Sequence, residues 1–276
     1  MKGRVCLVTG ASSGIGYVTA LELAKMGATV VMVNRDPGRG ERARAEVAAK
    51  SGNANVELLP CDLSSQRQIR ALADEFKRRH DRLHVLVNNA AIVPAKRTLT
   101  GDGLEKQFAV NHLGYFLLTG LLLDTIKASS PARIVSVSSG MHRQAGVDFA
   151  NLQAEKGYGP MEQYALTKLL NLLFAFELAR RLEGSGVTSN ALTPGFTATS
   201  IGREYHFVTR AVMRTMAQSK EKGAETSIYI ASSPEVEGIN GEYFEKKAVA
   251  NVSPEARDRD KALKLWILSE KLTGLV

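Results

Sequence analysis

The chain is poor in cysteine and has no long uninterrupted apolar run, and both features narrow its class. Its 276 residues include only two cysteines, Cys6 and Cys61, each within an apolar segment. This predicts reduced, buried thiols in a cytosol-like compartment rather than a small domain held together by disulfides. No stretch reaches the roughly 20 apolar residues of a membrane-spanning helix, so we expect a cytoplasmic protein without a transmembrane segment.

Metal-ligand and hydrolase patterns are also missing. The five histidines show no ligand spacing such as H-E-x-x-H, so no metal site is predicted. The absence of a G-x-S-x-G turn disfavours a Ser-His-Asp hydrolase. Basic residues exceed acidic ones, 36 against 28, but they are interleaved with acids rather than with aromatic residues. The net charge of +8 therefore favours a phosphate-bearing small molecule over nucleic acid as partner.

Short apolar segments alternate with longer helical patterns, which is typical of βαβ units in a parallel sheet. The predicted strands are 4–9, 29–34, 56–60, 85–88, 133–138, 188–193 and 242–244. The predicted helices are 14–26, 38–51, 64–79, 102–128, 161–183 and 224–232. We therefore predict one Rossmann-type, doubly wound α/β domain of about seven mostly parallel strands flanked by helices. Its core would span about 1–252, and 253–276 would form a C-terminal amphipathic helix.

Two stretches interrupt the alternation, 140–160 after the fifth strand and 196–222 after the sixth. In an open parallel sheet, ligands bind outside the carboxyl ends of the strands, where both stretches emerge. We expect them to wall a substrate site, with the second as a lid. Their apolar and sulfur-containing side chains would suit a bulky hydrophobic carbonyl compound, or would simply pack the lid onto the sheet.

A glycine-rich turn, Thr9-Gly10-Ala11-Ser12-Ser13-Gly14-Ile15-Gly16, joins the first strand to a helix. Small residues there let the backbone approach a pyrophosphate, whose charge the helix amides and dipole would hold. The spacing G-x-x-x-G-x-G differs from the usual dinucleotide fingerprint, and a plain tight turn is the alternative. Its place after the first strand of a βαβ chain favours a cofactor loop.

The second strand ends in Asn34-Arg35-Asp36, where an acidic side chain would bind the ribose 2′-hydroxyl of NAD(H). Asn34 and Arg35 come first here, and an arginine guanidinium matches a 2′-phosphate in shape and charge. The sequence therefore predicts NADP(H) as the cofactor. The alternative is NAD(H), with Asp36 on the ribose and Arg35 as a surface charge.

Tyr164 and Lys168 lie four residues apart in a helical pattern, so their side chains share one helix face. A phenol with a pKa of about 10 is a poor base at neutral pH. A neighbouring ammonium and a cationic nicotinamide ring would lower that pKa. Such a pair alone is more often a surface contact, so its meaning depends on the other motifs.

Together these motifs resemble those of the short-chain dehydrogenase/reductase family. The resemblance rests on residues 9–16, similar to its glycine motif, 88–91, similar to its N-N-A-G motif, and 164–168, similar to its Y-x-x-x-K motif. Asn111, Ser139 and Pro194-Gly195 follow in the expected order, so the likeness covers nearly the whole chain. Ala91 replaces the usual glycine of N-N-A-G, which is a small-for-small change.

Three further features resemble the retinol-dehydrogenase-like branch in particular. They are the long insertion before Tyr164, the sequence Asn111-His112-Leu113-Gly114 and the ending 265–270. This resemblance implies an enzyme of the short-chain dehydrogenase type.

The resemblance implies roles for individual residues. Tyr164 would donate or remove the hydroxyl proton, Lys168 would lower its pKa and hold the nicotinamide ribose, and Asn111 would position a water of the proton relay. Ser139, with Ser138 as the alternative, would orient the substrate. The implied cofactor-binding residues are Gly10, Ser12, Ser13, Gly14, Ile15, Gly16, Asn34, Arg35, Asp62, Leu63, Asn88, Ala90, Tyr164, Lys168, Pro194, Gly195, Thr197 and Thr199.

The implied reaction is hydride transfer between NADP(H) and a carbonyl or alcohol carbon of a hydrophobic small molecule, with tyrosine as general acid or base. Two alternatives stay open. One is a catalytically silent NADP(H)-binding regulatory protein, and the other is a C=C reductase that uses the same residues. The apolar face of the helix 161–183 could also pair subunits in a homodimer or homotetramer, as it often does in the family.

Overall fold

Eight strands form one sheet in a computed structural model that describes residues 1–195 and 219–275. Their order across the sheet is β3-β2-β1-β4-β5-β6-β7-β8. The strands are β1 (Val5–Thr9), β2 (Thr29–Asn34), β3 (Val56–Pro60), β4 (Val85–Asn88), β5 (Ala132–Val137), β6 (Val187–Thr193), β7 (Tyr243–Glu245) and β8 (Ala248–Val249). Adjacent strands are parallel except β7 and β8. The predicted doubly wound α/β fold is confirmed.

The predicted count of about seven strands is one too low. The strand that was missed, β8, is only two residues long and pairs with β7 as an antiparallel hairpin. A strand this short carries no periodic pattern, so it leaves no signal in the sequence.

Helices cover both faces of the sheet. They are α1 (Gly14–Lys25), α2 (Pro37–Ser51), α3 (Gln66–Arg79), α4 (Lys106–Phe108), α5 (Gly114–Lys127), α6 (Pro160–Arg181), α7 (Lys220–Ser232) and α8 (Arg259–Thr273). A π-turn, Ala109–Leu113, joins α4 to α5. Short 3₁₀ turns lie at Gly140–Gln144, Pro234–Val236 and Pro254–Arg257.

Three predicted helix starts are wrong by two residues or more, and capping explains each. The helix predicted from 224 begins at Lys220, because Ser219 is its N-cap and accepts the amide hydrogen of Lys222 at 3.2 Å. The helix predicted at 102–128 begins only at Lys106, because the Glu105 carboxylate accepts hydrogen bonds from the amides of Gln107 (2.8 Å) and Phe108 (2.7 Å). The helix predicted from Ser64 begins at Gln66, because Ser65 is its N-cap.

The core is divided between the two faces of the sheet, as strand β1 illustrates. Cys6 and Val8 pack toward α1, α2 and α7, whereas Leu7 packs toward α3, α5 and α6. All three side chains are fully buried, so the prediction of a sheet covered on both sides is confirmed. Cys6 and Cys61 are both buried and free, and burial raises the pKa of each thiol to about 12.

The C-terminal helix α8 packs back onto α5 and α6. The Trp266 ring stacks on Phe174, with ring centres 6.0 Å apart, and meets the edge of Phe116 at 4.9 Å. The Arg181 guanidinium lies 4.2 Å above the same indole. Helix α8 therefore covers apolar residues of α6 that the sequence offered for subunit pairing, and the oligomeric state stays a prediction.

One segment among the described residues, Lys106–Lys127, is long and apolar enough to cross a membrane by length and composition. Most of it is buried inside the fold, and core helices of folded domains meet the same criterion. The expectations of no transmembrane segment and a cytoplasmic location both stay predictions.

Candidate active site

The strand order reverses direction between β1 and β4, which opens a crevice at the carboxyl ends of these strands. The glycine turn lies there. Gly10 adopts a left-handed φ of +68°, and a Cβ atom on it would lie 2.9 Å from the Cα of Ala90. A Cβ on Gly16 would lie 2.6 Å from the carbonyl oxygen of Gly10. Only glycine fits at both positions, so the turn packs tightly against the end of β4.

Helix α1 begins at Gly14, so its amino terminus faces the end of β1. No acidic side chain lies in its first turn, which leaves the positive end of the helix dipole uncompensated by carboxylates. Ser12, Ser13 and Ile15 belong to this turn. A tight backbone and an amino terminus without carboxylates fit the pyrophosphate of a dinucleotide.

The Thr9 hydroxyl ties the glycine turn to β4, and sequence reasoning missed it. Its Oγ1 accepts hydrogen bonds from the amides of Asn89 (2.9 Å) and Ala90 (3.1 Å) and donates to the carbonyl of Val87 (3.3 Å). The Asn89 side chain donates in return to the Thr9 carbonyl at 2.7 Å. The signal was present as a threonine at the end of a strand, but a side chain that joins two strands is invisible in one-dimensional spacing.

At the end of β2, the buried side chain of Asn34 is followed by the exposed guanidinium of Arg35. Asn34 is buried, and neither side-chain amide atom has a hydrogen-bond partner within residues 1–195 and 219–275. Arg35 is exposed and pairs with no carboxylate in the same ranges. Asp36 is committed to helix α2, because its Oδ1 accepts the amide hydrogen of Arg39 at 2.8 Å. That hydrogen bond and the Arg39 charge lower the pKa of Asp36.

The remaining adenosine-side residues lie on the turns after β3 and β4. Asp62 is half-buried, and its Oδ1 accepts the amide hydrogen of Ser64 at 2.9 Å. Leu63 is buried, and Ala90 is half-buried. The Asn88 amide donates to Thr119 at 3.0 Å, which turns its side chain toward α5.

Tyr164 and Lys168 meet on α6, beside the end of β5. Both side chains are buried, and the Lys168 Nζ lies 5.4 Å from the centre of the Tyr164 ring. The ammonium donates to the Val137 carbonyl at 2.8 Å. The ring of Tyr115 also lies near this ammonium, with its centre 5.8 Å from the same Nζ.

The two serines after β5 have different surroundings. Ser138 is buried, and its hydroxyl donates to the Lys168 carbonyl at 2.7 Å. Ser139 is half-buried and is the N-cap of the following 3₁₀ turn, where its Oγ accepts the amide hydrogen of Met141 at 3.2 Å. Its side chain also lies close enough to Tyr164 to lower the pKa of that phenol. Of the two hydroxyls, Ser139 is the one that faces the tyrosine.

Burial shifts the pKa values of the pair in opposite directions. It raises the pKa of Tyr164 to about 12, against the opposing effect of the nearby Ser139 side chain, and lowers that of Lys168 to about 7. The expectation that Lys168 and a bound nicotinamide ring together lower the phenol pKa stays a prediction. Burial disfavours both charged forms, so a lowered phenol pKa needs further positive charge.

Asn111 lies in the π-turn, next to α6. Its Oδ1 accepts the Ile92 amide hydrogen at 2.8 Å, and its Nδ2 donates to the Ile92 carbonyl at 3.0 Å and to Thr167 at 3.2 Å. The side chain is thus committed to the protein. A relay water would have to be held by a backbone carbonyl, and π-turns interrupt the regular helix ladder that otherwise occupies such carbonyls.

A buried carboxylate behind the tyrosine was also missed. Glu105 is fully buried, and its Oε2 accepts a hydrogen bond of 3.0 Å from the side chain of Gln163, the neighbour of Tyr164. Gln163 also donates to the Leu152 carbonyl at 2.9 Å. This network fixes the first turn of α6, and only the three-dimensional fold brings its members together.

Of the predicted cofactor-binding residues after β6, Pro194 and Gly195 lie within the described part of the chain. Gly195 has a φ of +73°, and its amide donates to Thr193 at 3.3 Å, directly after Pro194. Thr197, Thr199 and residues 196–218 of the predicted lid lie outside the described residues, whereas its last residues, 219–222, form the cap and first turn of helix α7. Within residues 1–195 and 219–275, no cluster of three His, Cys, Asp or Glu side chains could hold a metal ion.

The family model of the short chain dehydrogenases matches residues 4–207. The chain belongs to the short-chain dehydrogenase family. Human retinol dehydrogenase 14 is 42% identical over 295 residues, covering 100% of this chain and 88% of that protein. Human retinol dehydrogenase 11 is 42% identical over 277 residues, covering 100% and 87%. Within the family, this chain therefore lies in the retinol-dehydrogenase-like branch.

Solved structures share the fold. An uncharacterized protein from Mycobacterium paratuberculosis superimposes with a TM-score of 0.81 at 34% identity, covering 99% of this chain and 94% of the other. Levodione reductase gives 0.73 at 22% identity, covering 88% and 95%, which shows the fold alone. A Beutenbergia cavernae structure described as an NAD(P)-dependent gluconate 5-dehydrogenase candidate, with NADP at low occupancy, gives 0.73 at 25%, covering 89% and 96%. This short-chain dehydrogenase is thus an oxidoreductase of a family that binds NAD(P)(H).

Proposed function

We propose that this short-chain dehydrogenase uses NADP(H) to interconvert a carbonyl and an alcohol on a hydrophobic small molecule. The observation that carries the proposal is the meeting of Ser139, Tyr164 and Lys168 at the carboxyl end of β5. This group lies at the same edge of the sheet as the tight glycine turn after β1. Proton-transfer groups and a phosphate-binding turn therefore share one crevice, as hydride chemistry on a dinucleotide requires.

Each side chain has a distinct task in this proposal. The hydroxyls of Ser139 and Tyr164 bind the substrate oxygen and stabilise the negative charge that grows there during reduction. Tyr164 then gives its proton to that oxygen, or takes it back in the oxidative direction. When bound, the nicotinamide supplies or accepts the hydride and, in its oxidised form, adds positive charge beside the phenol. Lys168 binds the nicotinamide ribose and returns a proton to Tyr164.

The end of β2 supports NADP(H) over NAD(H). The Asp36 carboxylate already caps α2, whereas Arg35 is exposed and without an ion pair in the described chain. A guanidinium in this place can bind the 2′-phosphate with two parallel hydrogen bonds. The buried, unpartnered amide of Asn34 beside it fits a position that an adenosine group completes.

The names of the relatives indicate the substrate class. Two human proteins that are 42% identical over the whole of this chain are called retinol dehydrogenases. We therefore include a retinoid among the candidate substrates, as an aldehyde or alcohol on an apolar chain. A regulatory protein without turnover and a C=C reductase remain the rival outcomes of the test.

The test is NADPH oxidation by the whole protein with all-trans-retinal, medium-chain aldehydes, ketones, quinones and an α,β-unsaturated ketone. We expect reduction of at least one hydrophobic aldehyde or ketone to its alcohol, identified by product analysis. Tyr164→Phe should bind NADPH like the wild type but lose roughly 10²- to 10⁴-fold in turnover. Tyr229→Phe is the matched control, because its exposed hydroxyl bonds Glu235 on the surface and no other group of residues 1–195 and 219–275.

Three results would contradict the proposal. NADPH binding without turnover of any compound would favour the regulator, and a saturated ketone as the product would favour the C=C reductase. Full activity in Tyr164→Phe would refute the role of the phenol.

A further inference from the structure

A fully buried histidine follows Asn111 in the π-turn, and the proposed chemistry does not use it. The Nε2 of His112 lies 3.0 Å from the hydroxyl of Ser269 on α8, and both residues are completely inaccessible to solvent. The imidazole stacks on Phe108, with ring centres 5.6 Å apart and planes inclined by 20°. Burial lowers the pKa of His112 to about 4, so the ring is neutral at physiological pH.

Asn111, the residue before His112, is connected through hydrogen bonds to the backbone of Tyr164. Asn111 donates to the Thr167 hydroxyl at 3.2 Å, and that hydroxyl donates to the backbone carbonyl of Tyr164 at 2.8 Å. Neighbouring residues of one turn thus face two different helices: Asn111 bonds α6, and His112 bonds α8. A π-turn is a rare and less regular helix form. We therefore expect side-chain contacts such as these to set the orientation of the turn about its helix axis.

Helix α8 is a firm support for this contact because it is attached at its middle and at its C-terminal end. Trp266 packs between Phe116 and Phe174. At the C-terminal end, Arg70 donates to the carbonyls of Thr273 (2.6 Å) and Gly274 (3.0 Å). The Ser269 hydroxyl lies between these two attachments, so it presents a fixed hydrogen-bond partner to His112.

We propose that the Ser269–His112 pair is a positioning link through which the C-terminal helix sets the rotation of the π-turn, and with it the placement of Asn111 and Tyr164. Neither residue touches the substrate or the cofactor in this scheme. The inference rests on the proposed function for its kinetic consequences, but its structural consequence can be measured without any turnover.

Ser269→Ala tests the link directly, because it removes one hydroxyl and leaves the apolar contacts of α8 in place. Hydrogen exchange of the amides of residues 109–114 should become faster in this variant. The emission of Trp266, the only tryptophan in the chain, should stay unchanged because α8 remains docked. Thr273→Val is the matched control, since the buried hydroxyl of Thr273 bonds carbonyls of its own helix and no other group in the part of the chain that the structure describes.

Kinetics give the second readout, measured with the aldehyde that the wild type reduces fastest. Ser269→Ala should lower kcat roughly tenfold with KM and the Kd for NADPH unchanged, because misplaced proton-transfer groups slow chemistry without weakening binding. The solvent deuterium isotope effect on kcat should rise, as proton transfer becomes more limiting. A role in packing alone would change the thermal stability and leave this isotope effect as it is.

A substitution at His112 checks the same link from its other end and serves if Ser269→Ala does not fold. His112→Gln places an amide nitrogen near the position of Nε2 and should retain most of kcat, whereas His112→Leu should not. Unchanged exchange at 109–114 together with unchanged kcat in Ser269→Ala would overturn the proposal. So would the same changes in Thr273→Val, or a shift of the Trp266 emission, which would indicate loss of the whole helix. If the wild type turns over no substrate, the proposed function fails while the exchange experiment still decides the link.

Discussion

The two halves of the crevice hold their polar groups in different ways. On the catalytic side, beside β5 and α6, the Lys168 ammonium and the Ser138 hydroxyl are buried and bonded to backbone carbonyls. On the cofactor side, at the end of β2, the Arg35 guanidinium is exposed and has no ion pair within the described ranges. The fold fixes the polar side chains of the catalytic side, whereas the position of the Arg35 side chain would be fixed by a bound ligand.

The difference teaches where binding and chemistry are encoded. A buried polar group without a partner costs about 1–3 kcal/mol, so folding itself places the catalytic side chains. An exposed arginine has no such constraint and gains its ordered position only against an anion. Substitutions of the buried, hydrogen-bonded groups on the catalytic side should therefore change both turnover and stability. Substitution of Arg35 at the end of β2 should change cofactor affinity alone.

The largest effect should be the difference in kcat/KM between alanine variants of the two adjacent serines. Ser139→Ala removes a hydroxyl that faces Tyr164 and should lower kcat/KM by roughly 10²- to 10³-fold, the usual cost of losing one donor to a developing oxyanion. Ser138→Ala removes a bond to the Lys168 carbonyl and should cost about 1–3 kcal/mol of stability, with a smaller loss of activity. Steady-state kinetics and urea unfolding of both variants check this; equal kinetic losses would erase the distinction between the two serines.

The second-largest effect should be on cofactor affinity at the end of β2. Arg35→Ala should weaken NADPH by roughly 10- to 100-fold, the range of a charge-assisted hydrogen bond, and should leave NADH almost unaffected. Titrations that follow NAD(P)H fluorescence give both Kd values. Arg44→Ala controls for a lost cation, because Arg44 already pairs with Glu41. Equal losses for NADPH and NADH would show that Arg35 does not bind the 2′-phosphate.

The Thr9 hydroxyl, which joins the glycine turn to the end of β4, should contribute to the free energy of unfolding. Thr9→Val keeps the shape of the side chain but deprives the amides of Asn89 and Ala90 of their acceptor. We expect a loss of about 2 kcal/mol in the free energy of unfolding. Thr188→Val, on the half-buried part of β6, should stay within about 0.5 kcal/mol. Denaturant unfolding measures both, and matching losses would show that the Thr9 hydroxyl joins nothing of consequence.

The last effect is a pH dependence of the free energy of unfolding. Burial lowers the pKa of Lys168 from 10.5 to about 7, so between these values the unfolded chain binds more protons than the folded one. The contribution of Lys168 to stability therefore increases as the pH rises above about 7, by at most about 1.4 kcal/mol per pH unit. In Lys168→Met this contribution is absent. Unfolding from pH 6 to 9 should show the wild type gaining on the variant, and a constant difference would mean that Lys168 is not desolvated.

Much of the fold was predictable because it is carried by local patterns. Strands β2, β3 and β4 begin and end at the predicted residues, since apolar runs bounded by turn residues define them. The motifs around Gly10 and Tyr164 also depend on short spacings. The π-turn around Asn111 was not predictable, because its backbone form follows from contacts with Ile92 and Thr167, which are distant in the sequence.

The burial of Tyr164 and Lys168 was not predicted, for a related reason. Spacing along a helix showed that Tyr164 and Lys168 share a face, but it did not show that both are buried. Desolvation acts on both groups and outweighs their proximity in the chain alone. The Thr9 hydroxyl and the Glu105 carboxylate were missed because their partners come from other strands and helices.

The most direct measurement is a single-turnover reduction with NADPH that carries deuterium at C4 of the nicotinamide, followed by mass spectrometry of the product. With a hydrophobic aldehyde, the wild type should yield an alcohol that carries one deuterium on the former carbonyl carbon, and Tyr164→Phe should yield almost none in the same time. An unlabelled alcohol, or labelled product formed equally fast by Tyr164→Phe, would contradict the account.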